Sequence, residues 1–169
     1  MCGRTVHLMA AARDRFVADM SDALNAAGLP PLPSRVFSAL LVDDDGQMTA
    51  AELAATLGVS PAGVSGAVRY LEQVGMLRRE REPGSRRDVY VVDDDAWHAA
   101  MMRKDVTYGP MHEALARVVD DLGPDAPAHL RLALAREFLL FVDREMDGLA
   151  ERWEHRKRTL LRENGRVSG

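Results

Sequence analysis

Thr49 to Val92 reads TAAELAATLGVSPAGVSGAVRYLEQVGMLRREREPGSRRDVYVV, and this stretch decides the fold. Thr49 and Glu52 stand at capping-box spacing, in which each side chain accepts from the other residue's backbone amide. A helix is therefore expected from there to about Leu57, where Gly58 stops it. Ser60 can cap a second helix that opens on Pro61, a position where a missing amide hydrogen costs nothing, and Gly75 is placed to end it after Val74. Two capped helices across a tight turn make a helix-turn-helix.

Within the second helix Val64, Ala67, Val68 and Leu71 fall on one side at the helical repeat and can pack inward. The other side carries Ala62, Ser65, Gly66 and Arg69, with Gly63 and Tyr70 at its margin. These residues are small, hydrogen-bonding or cationic, and would let a helix approach a DNA groove closely. Taken alone, the same face is equally compatible with a plain solvated surface, and a helix-interior glycine can have a packing reason.

MLRRERE and DVYVV read as two strands joined by a turn over 82–87 that contains Pro83-Gly84. Arg78, Arg79, Arg81, Arg86 and Arg87 outweigh Glu80 and Glu82 there, although the whole chain carries a formal net charge of -4. A local reversal of sign beside a candidate reading helix is the electrostatic footprint of DNA binding. Arginines at a hairpin tip also serve solubility alone, so it is the helix and hairpin in this order that count.

The run LGVSPAGVSGAVRYLEQVGMLRRE followed by PGSRRDVYVV resembles the winged helix-turn-helix of the MarR superfamily, and especially its GbsR-like branch. The resemblance covers residues 33–92 well, while the flanking helices agree only in pattern. It implies that the second helix enters the major groove through Ser60, Ser65, Gly66 and Arg69, with Ala62, Gly63 and Tyr70 as the further candidates that the helical face supplies. It likewise implies that the wing reaches the adjacent minor groove through Arg86 and Arg87, with Arg79, Arg81 and Ser85 as the further wing candidates. Many relatives have a large polar residue where Gly66 stands, so base readout by this helix is expected to be sparse, with more specificity from the wing, DNA shape or bound water.

With 169 residues, 47% hydrophobic and 28% charged, the chain suits a small domain plus an oligomerisation element, and its acidity argues against a general nucleic-acid coat. Cys2 is the one cysteine, which excludes an intramolecular disulfide. No signal peptide or membrane-length apolar span stands out, so the expected compartment is the cytoplasm.

Around the central stretch the pattern is helical. Residues 1–5 read as a tail, and Phe16, Val17, Met20, Leu24 and Ala27 mark a first helix from about Ala11. Gly28 and LPPLP break it, and Ser34 or a neighbour starts another helix through Phe37 and Leu41. Asp43 to Gly46 form a turn without the ligand spacing of a calcium loop. Asp93 to Asp95 can cap a helix containing Trp97, Met101 and Met102, and Tyr108 to Pro110 break it. A further helix from Met111 ends at Gly123, and a long one runs from about Ala128 to Glu163 with enough apolar residues that its early part should be covered from more than one side.

The expected fold is therefore mainly α with a small β-hairpin wing (α+β): a winged helix-turn-helix plus a helical dimerisation region. The boundaries are 5–29 for an N-terminal dimerisation helix, 30–93 for the DNA-binding domain and 94–165 for the C-terminal dimerisation region.

No enzyme motif, cofactor motif or metal-ligand cluster is present: the glycines follow no strand, and His112-Glu113 stands without partners at metal spacing. Cys2, with Arg4 and His7 near it in sequence, is the one candidate for redox chemistry, set against an inert tail cysteine. The resemblance implies a cleft for a small effector, and in the GbsR-like branch an association with choline and betaine metabolism, whose quaternary ammonium groups favour aromatic faces. Trp97, Tyr108, Phe138, Phe141 and Trp153 are the aromatic candidates, unless they serve the core.

The expected function is a homodimeric, sequence-specific transcriptional regulator, a repressor by preference. Its partners are double-stranded DNA with an inverted-repeat operator, a second copy of the chain and a small-molecule effector, with no membrane. The alternative is a winged-helix module that binds an acidic protein partner.

Overall fold

The computed structural model describes residues 2–82, 84–85, 87–93, 95–97 and 109–163, with 2–8 as backbone alone. The chain divides into two compact units, Met1–Ala100 and Met101–Gly169. Most of it is helical, with one small antiparallel sheet.

In the first unit α1 spans Cys2–Ala26 and α2 spans Pro31–Leu41. α1 begins well before Ala11 and takes in residues expected to be a tail, because no proline interrupts Cys2 to Ala10 and Gly3 falls in the first turn, where it costs least. The side chain of Cys2 is outside the described residues. α2 also starts early. Pro31 and Pro33 both fit its first turn, whose amides have no helical acceptor in any case. Ser34 is consequently not a cap: it lies inside the helix and its hydroxyl donates back to the Pro30 carbonyl at 2.9 Å.

α2 is the floor of this unit. Val36, Phe37 and Leu40 are fully buried, and α1 lays Val17, Met20 and Leu24 against the same core. Ser21 and Ser38, both buried, meet where the two helices cross, and Ser38 donates to the Ser34 carbonyl at 2.8 Å, so this polar pair does not go unsatisfied in an apolar setting. Trp97 caps the floor edge-on, its ring centroid 5.2 Å from that of Phe37 at 80°.

The helix-turn-helix matches its sequence signals to the residue. α3 covers Ala50–Leu57 with the Thr49–Glu52 capping box formed and Gly58 left-handed at its end. α4 covers Pro61–Val74 between the Ser60 cap and a left-handed Gly75. Arg35 of α2 donates to the Leu57 carbonyl at 2.8 Å, satisfying an acceptor that the end of α3 leaves open.

The wing has a strand that the sequence did not announce. β1 (Gln47–Thr49) pairs with β3 (Asp88–Val91), which pairs with β2 (Arg78–Arg81), giving the order β1-β3-β2. The aspartates of the preceding turn explain how so short a strand is placed. The Asp43 carboxylate accepts from the amides of Asp45 (3.1 Å) and Gln47 (3.3 Å), and the carbonyl of Gly46, a residue at φ +64°, accepts from the Val92 amide at 2.9 Å. A Cβ at Gly46 would stand 3.0 Å from the Val92 carbonyl oxygen, so the close approach of the two segments depends on glycine.

In the second unit α5 (Gly109–Leu122) packs against α6 (His129–Glu163), with Val119 buried between them. Early α6 is expected to be covered from more than one side, and among the described residues of its own unit only α5 packs on it. No α6 residue is buried, and Leu130, Leu134, Phe138 and Phe141 stand 60–69% exposed. The expected helix through Met101 and Met102 and Tyr108 of the expected break lie outside the described residues, while Gly109 and Pro110, expected in that break, instead open α5, where a proline loses no helical hydrogen bond. Among the described residues no helix is long and apolar enough to cross a membrane.

Candidate nucleic-acid interface

α4 is held from one side and bare on the other. Val64, Ala67, Val68 and Leu71 are buried against α2 and α3, and Ala62, Ser65, Gly66 and Arg69 are exposed. Gly63 and Tyr70 are half-buried at the margin, as the helical repeat requires. The Ser60 hydroxyl accepts from the Gly63 amide at 3.2 Å, so Ser60 serves as the helix cap.

The two glycines of this face sit in different surroundings. A Cβ at Gly63 would come within 3.2 Å of Leu32 Cδ2 and 3.4 Å of Ser60 Oγ, so the packing of α2 on α4 accounts for that glycine. Apart from the helix's own backbone, a Cβ at Gly66 would meet nothing within 4 Å. A glycine there costs about 1 kcal/mol of helix stability relative to alanine, with no internal contact in return.

The wing arginines fall into two groups by strand parity. Arg79 and Arg81 share one face of the ladder with Asp88 and Tyr90, while Arg78 and Glu80 share the other with Val89 and Val91. On the first face Arg79 is ion-paired to Asp88. The hydrogen bond between them, and then their charges, hold the guanidinium more firmly protonated and the Asp88 carboxyl below the usual range. On the second face Arg78 pairs with Glu80 and takes the Asp93 carboxylate at 3.0 and 3.2 Å through Nε. Both arginines are thus engaged inside the wing.

Arg81 and Arg87 are exposed. Arg87 closes the hairpin turn just before β3, where with Thr49, Ala50 and Tyr90 it borders a groove of about 520 Å³ beside the start of α3. Its charge adds to the depression of the Glu52 carboxyl, whose main causes are the hydrogen bonds from the Thr49 amide and then the Thr49 hydroxyl. Ser85 is half-buried and spends its hydroxyl on the Arg87 amide at 3.1 Å, shaping the turn that the Glu82 amide closes on the Arg87 carbonyl at 3.0 Å. Arg86 lies outside the described residues. The sequence reading counted wing cations and overlooked Asp88 and Asp93 as their counter-charges. The signal was present, because an aspartate facing an arginine two places along the opposite strand is a diagonal pair.

The aromatic effector candidates are divided between the two units. Trp97 is spent on Phe37, Phe138 and Phe141 are exposed on α6, Trp153 is half-buried farther along α6, and Tyr108 lies outside the described residues. Two further concavities of the first unit run along α1. One of about 490 Å³ lies among Met9, Val17, Val42 and Met48, with the Arg13–Asp44 ion pair at its side, and a second of about 400 Å³ continues past Ser21 and Arg35. Among the described residues no group of three or more His, Cys, Asp or Glu could hold a metal ion.

Comparison with known proteins accounts for both units. A MarR family model matches residues 27–88, and a model described as MmpR5-like MarR family transcriptional regulator matches residues 95–156. Over 70 residues the chain is 39% identical to YcgE, an HTH-type transcriptional regulator of Bacillus subtilis (strain 168), covering 41% of this chain and 44% of that protein. Over 127 residues it is 24% identical to YvaV of the same organism, also described as an HTH-type transcriptional regulator, covering 68% and 71%. A crystal structure of a transcriptional regulator superposes with a TM-score of 0.76 at 24% identity, covering 85% of this chain and 99% of the other, a likeness of fold. With MarR family models matching the winged helix-turn-helix and the helical pair alike, the chain belongs to the MarR family of winged-helix transcriptional regulators.

Proposed function

We propose that the protein acts as a homodimer that binds an inverted-repeat operator, with α4 in the major groove and the wing against the neighbouring minor groove. The carrying observation is the bare outer face of α4, with Ser65, Gly66 and Arg69 exposed beside a wing that offers Arg81 and Arg87. Residues 30–93 are the reading head in this proposal, and residues 5–29 and 94–165 the dimerisation elements. The apolar row Leu130, Leu134, Phe138 and Phe141 on α6 supports pairing through a second copy. Two-fold pairing would set the half-sites about one helical turn, roughly 10 base pairs, apart.

The regulator is proposed to act as a repressor under a small-molecule effector, by a shift between dimer geometries that the ligand binds unequally. The cavity beside Met9, Val17 and Met48 has the size of a small-ligand pocket, which favours it over an aromatic cage. Selection of duplexes from a random pool, at stated salt, tests the central reading. An enriched inverted repeat supports it, whereas a pool that emerges without a consensus sinks it.

A further inference from the structure

The outer face of α4 carries one glycine that the fold does not use. Gly63 is accounted for by Leu32, but at Gly66 a side chain would enter open space. Glycine is the poorest helix former after proline, so alanine at position 66 should suit the isolated protein better. Gly66 lies next to Ser65 and one turn from both Ala62 and Arg69, all exposed on the same face. What the folded chain gains from the missing side chain must therefore come from outside it.

We propose that Gly66 is a specificity-determining position, where the bare backbone of α4 rests against the DNA groove and the missing side chain sets the depth at which Ser65 and Arg69 meet base edges. This rests on the reading of α4 as the DNA-reading helix. A helix about 10–12 Å across fills a major groove about 12 Å wide, so one methyl group at the point of closest approach lifts the whole helix. Lifting by a fraction of a bond length is enough to misalign hydrogen bonds to bases. Contacts to phosphates, made by long flexible arginines, adjust to it, so non-specific affinity is spared.

The test compares the full-length wild type with Gly66→Ala and Gly63→Ala, using the best duplex that the wild type selects from a random pool and the unselected pool itself. Gly66→Ala should raise the melting temperature by about 2–4 °C and weaken binding to the selected duplex about tenfold or more, with affinity for the unselected pool within twofold. Gly63→Ala should lower the melting temperature, because its methyl meets Leu32. Unchanged binding of Gly66→Ala to the selected duplex overturns the proposal, as does an equal loss on both DNAs or a lower melting temperature. If the wild type selects nothing, the DNA-reading assignment of α4 falls, and this proposal falls with it. If the wild type selects a duplex that Gly66→Ala binds equally well, only the role of Gly66 falls.

Discussion

Arg79 on β2 reaches diagonally across the ladder to Asp88 on β3 and is ion-paired there, on the same face as Tyr90. A cation already neutralised inside the wing releases few DNA counterions, since it brings no free charge to a phosphate. Arg79→Ala should therefore leave the slope of log affinity against log salt near that of the wild type. Asp88→Ala should free the guanidinium and steepen the slope by up to about one unit. Anisotropy titrations over a salt series read both; a slope that flattens by a full unit in Arg79→Ala would restore Arg79 as a direct phosphate contact.

Arg87 makes the opposite case. It is exposed in the hairpin turn with an amide that Ser85 holds in place, so its side chain is presented from a fixed backbone. Arg87→Ala should flatten the salt slope by about one unit and weaken selected and unselected duplexes alike. A loss confined to the selected sequence would instead make it a base-reading residue.

The cap of α3 should make stability depend on pH. The Glu52 carboxyl is depressed, mainly by the hydrogen bond from the Thr49 amide, so the folded state binds its proton more weakly than the unfolded chain does. Its contribution is present above the unfolded value of about 4.3 and is lost as pH falls through the lower folded value. Asp88 acts in the same direction through Arg79. Glu52→Ala removes the carboxylate that the Thr49 amide and hydroxyl hold, so it should destabilise the protein near neutral pH, and the gap from wild type should narrow below about pH 4. Urea denaturation at pH 7 and pH 3.5 measures this; a gap that stays constant would mean that the carboxylate plays no part in the cap.

Which parts of this fold were legible follows from how local their causes are. The limits of α3 and α4 rest on Thr49, Glu52, Gly58, Ser60, Pro61 and Gly75, each acting through its own backbone or a residue three places away, and all were readable. β1 was not: its three residues are too few to show a period, and it exists because the Asp43 carboxylate and the Val92 amide fix it from a distance. The start of α2 was read late for a local reason, since two prolines mark a break and are equally at home in a first turn. In the interface, the faces of α4 followed from helical period. The division of the wing arginines depended on the cross-strand register, which composition does not carry. The two glycines of α4 looked alike until Leu32, from another helix, told them apart.

Phe37 should be the most costly core position to truncate. It is fully buried on the α2 floor and carries Trp97 edge-on, so removing its ring opens a cavity and strips a neighbour at once. Phe37→Ala should lose about 3–5 kcal/mol in urea unfolding. Trp97→Ala, at a residue 41% exposed, should lose clearly less. Equal losses would show that the ring pair, rather than burial of Phe37, dominates there.

The apolar row on α6 carries the last prediction. Leu130, Leu134, Phe138 and Phe141 are spaced by four, four and three residues, which keeps them on one side of the helix, and all four are at least 60% exposed. Leaving four such side chains in water forgoes roughly 1.5–3 kcal/mol each, a cost that association with a second copy would remove. Wild-type protein should accordingly sediment as a dimer at micromolar concentration, and Phe138→Glu with Phe141→Glu should sediment as a monomer. Because these residues are exposed on α6, the substitutions should leave the circular dichroism of the folded chain unchanged. Binding of the mutant to a single half-site should persist at the weak affinity of one reading head, while the gain from the second half-site disappears. A mutant that remains dimeric would move the dimer interface elsewhere on the chain.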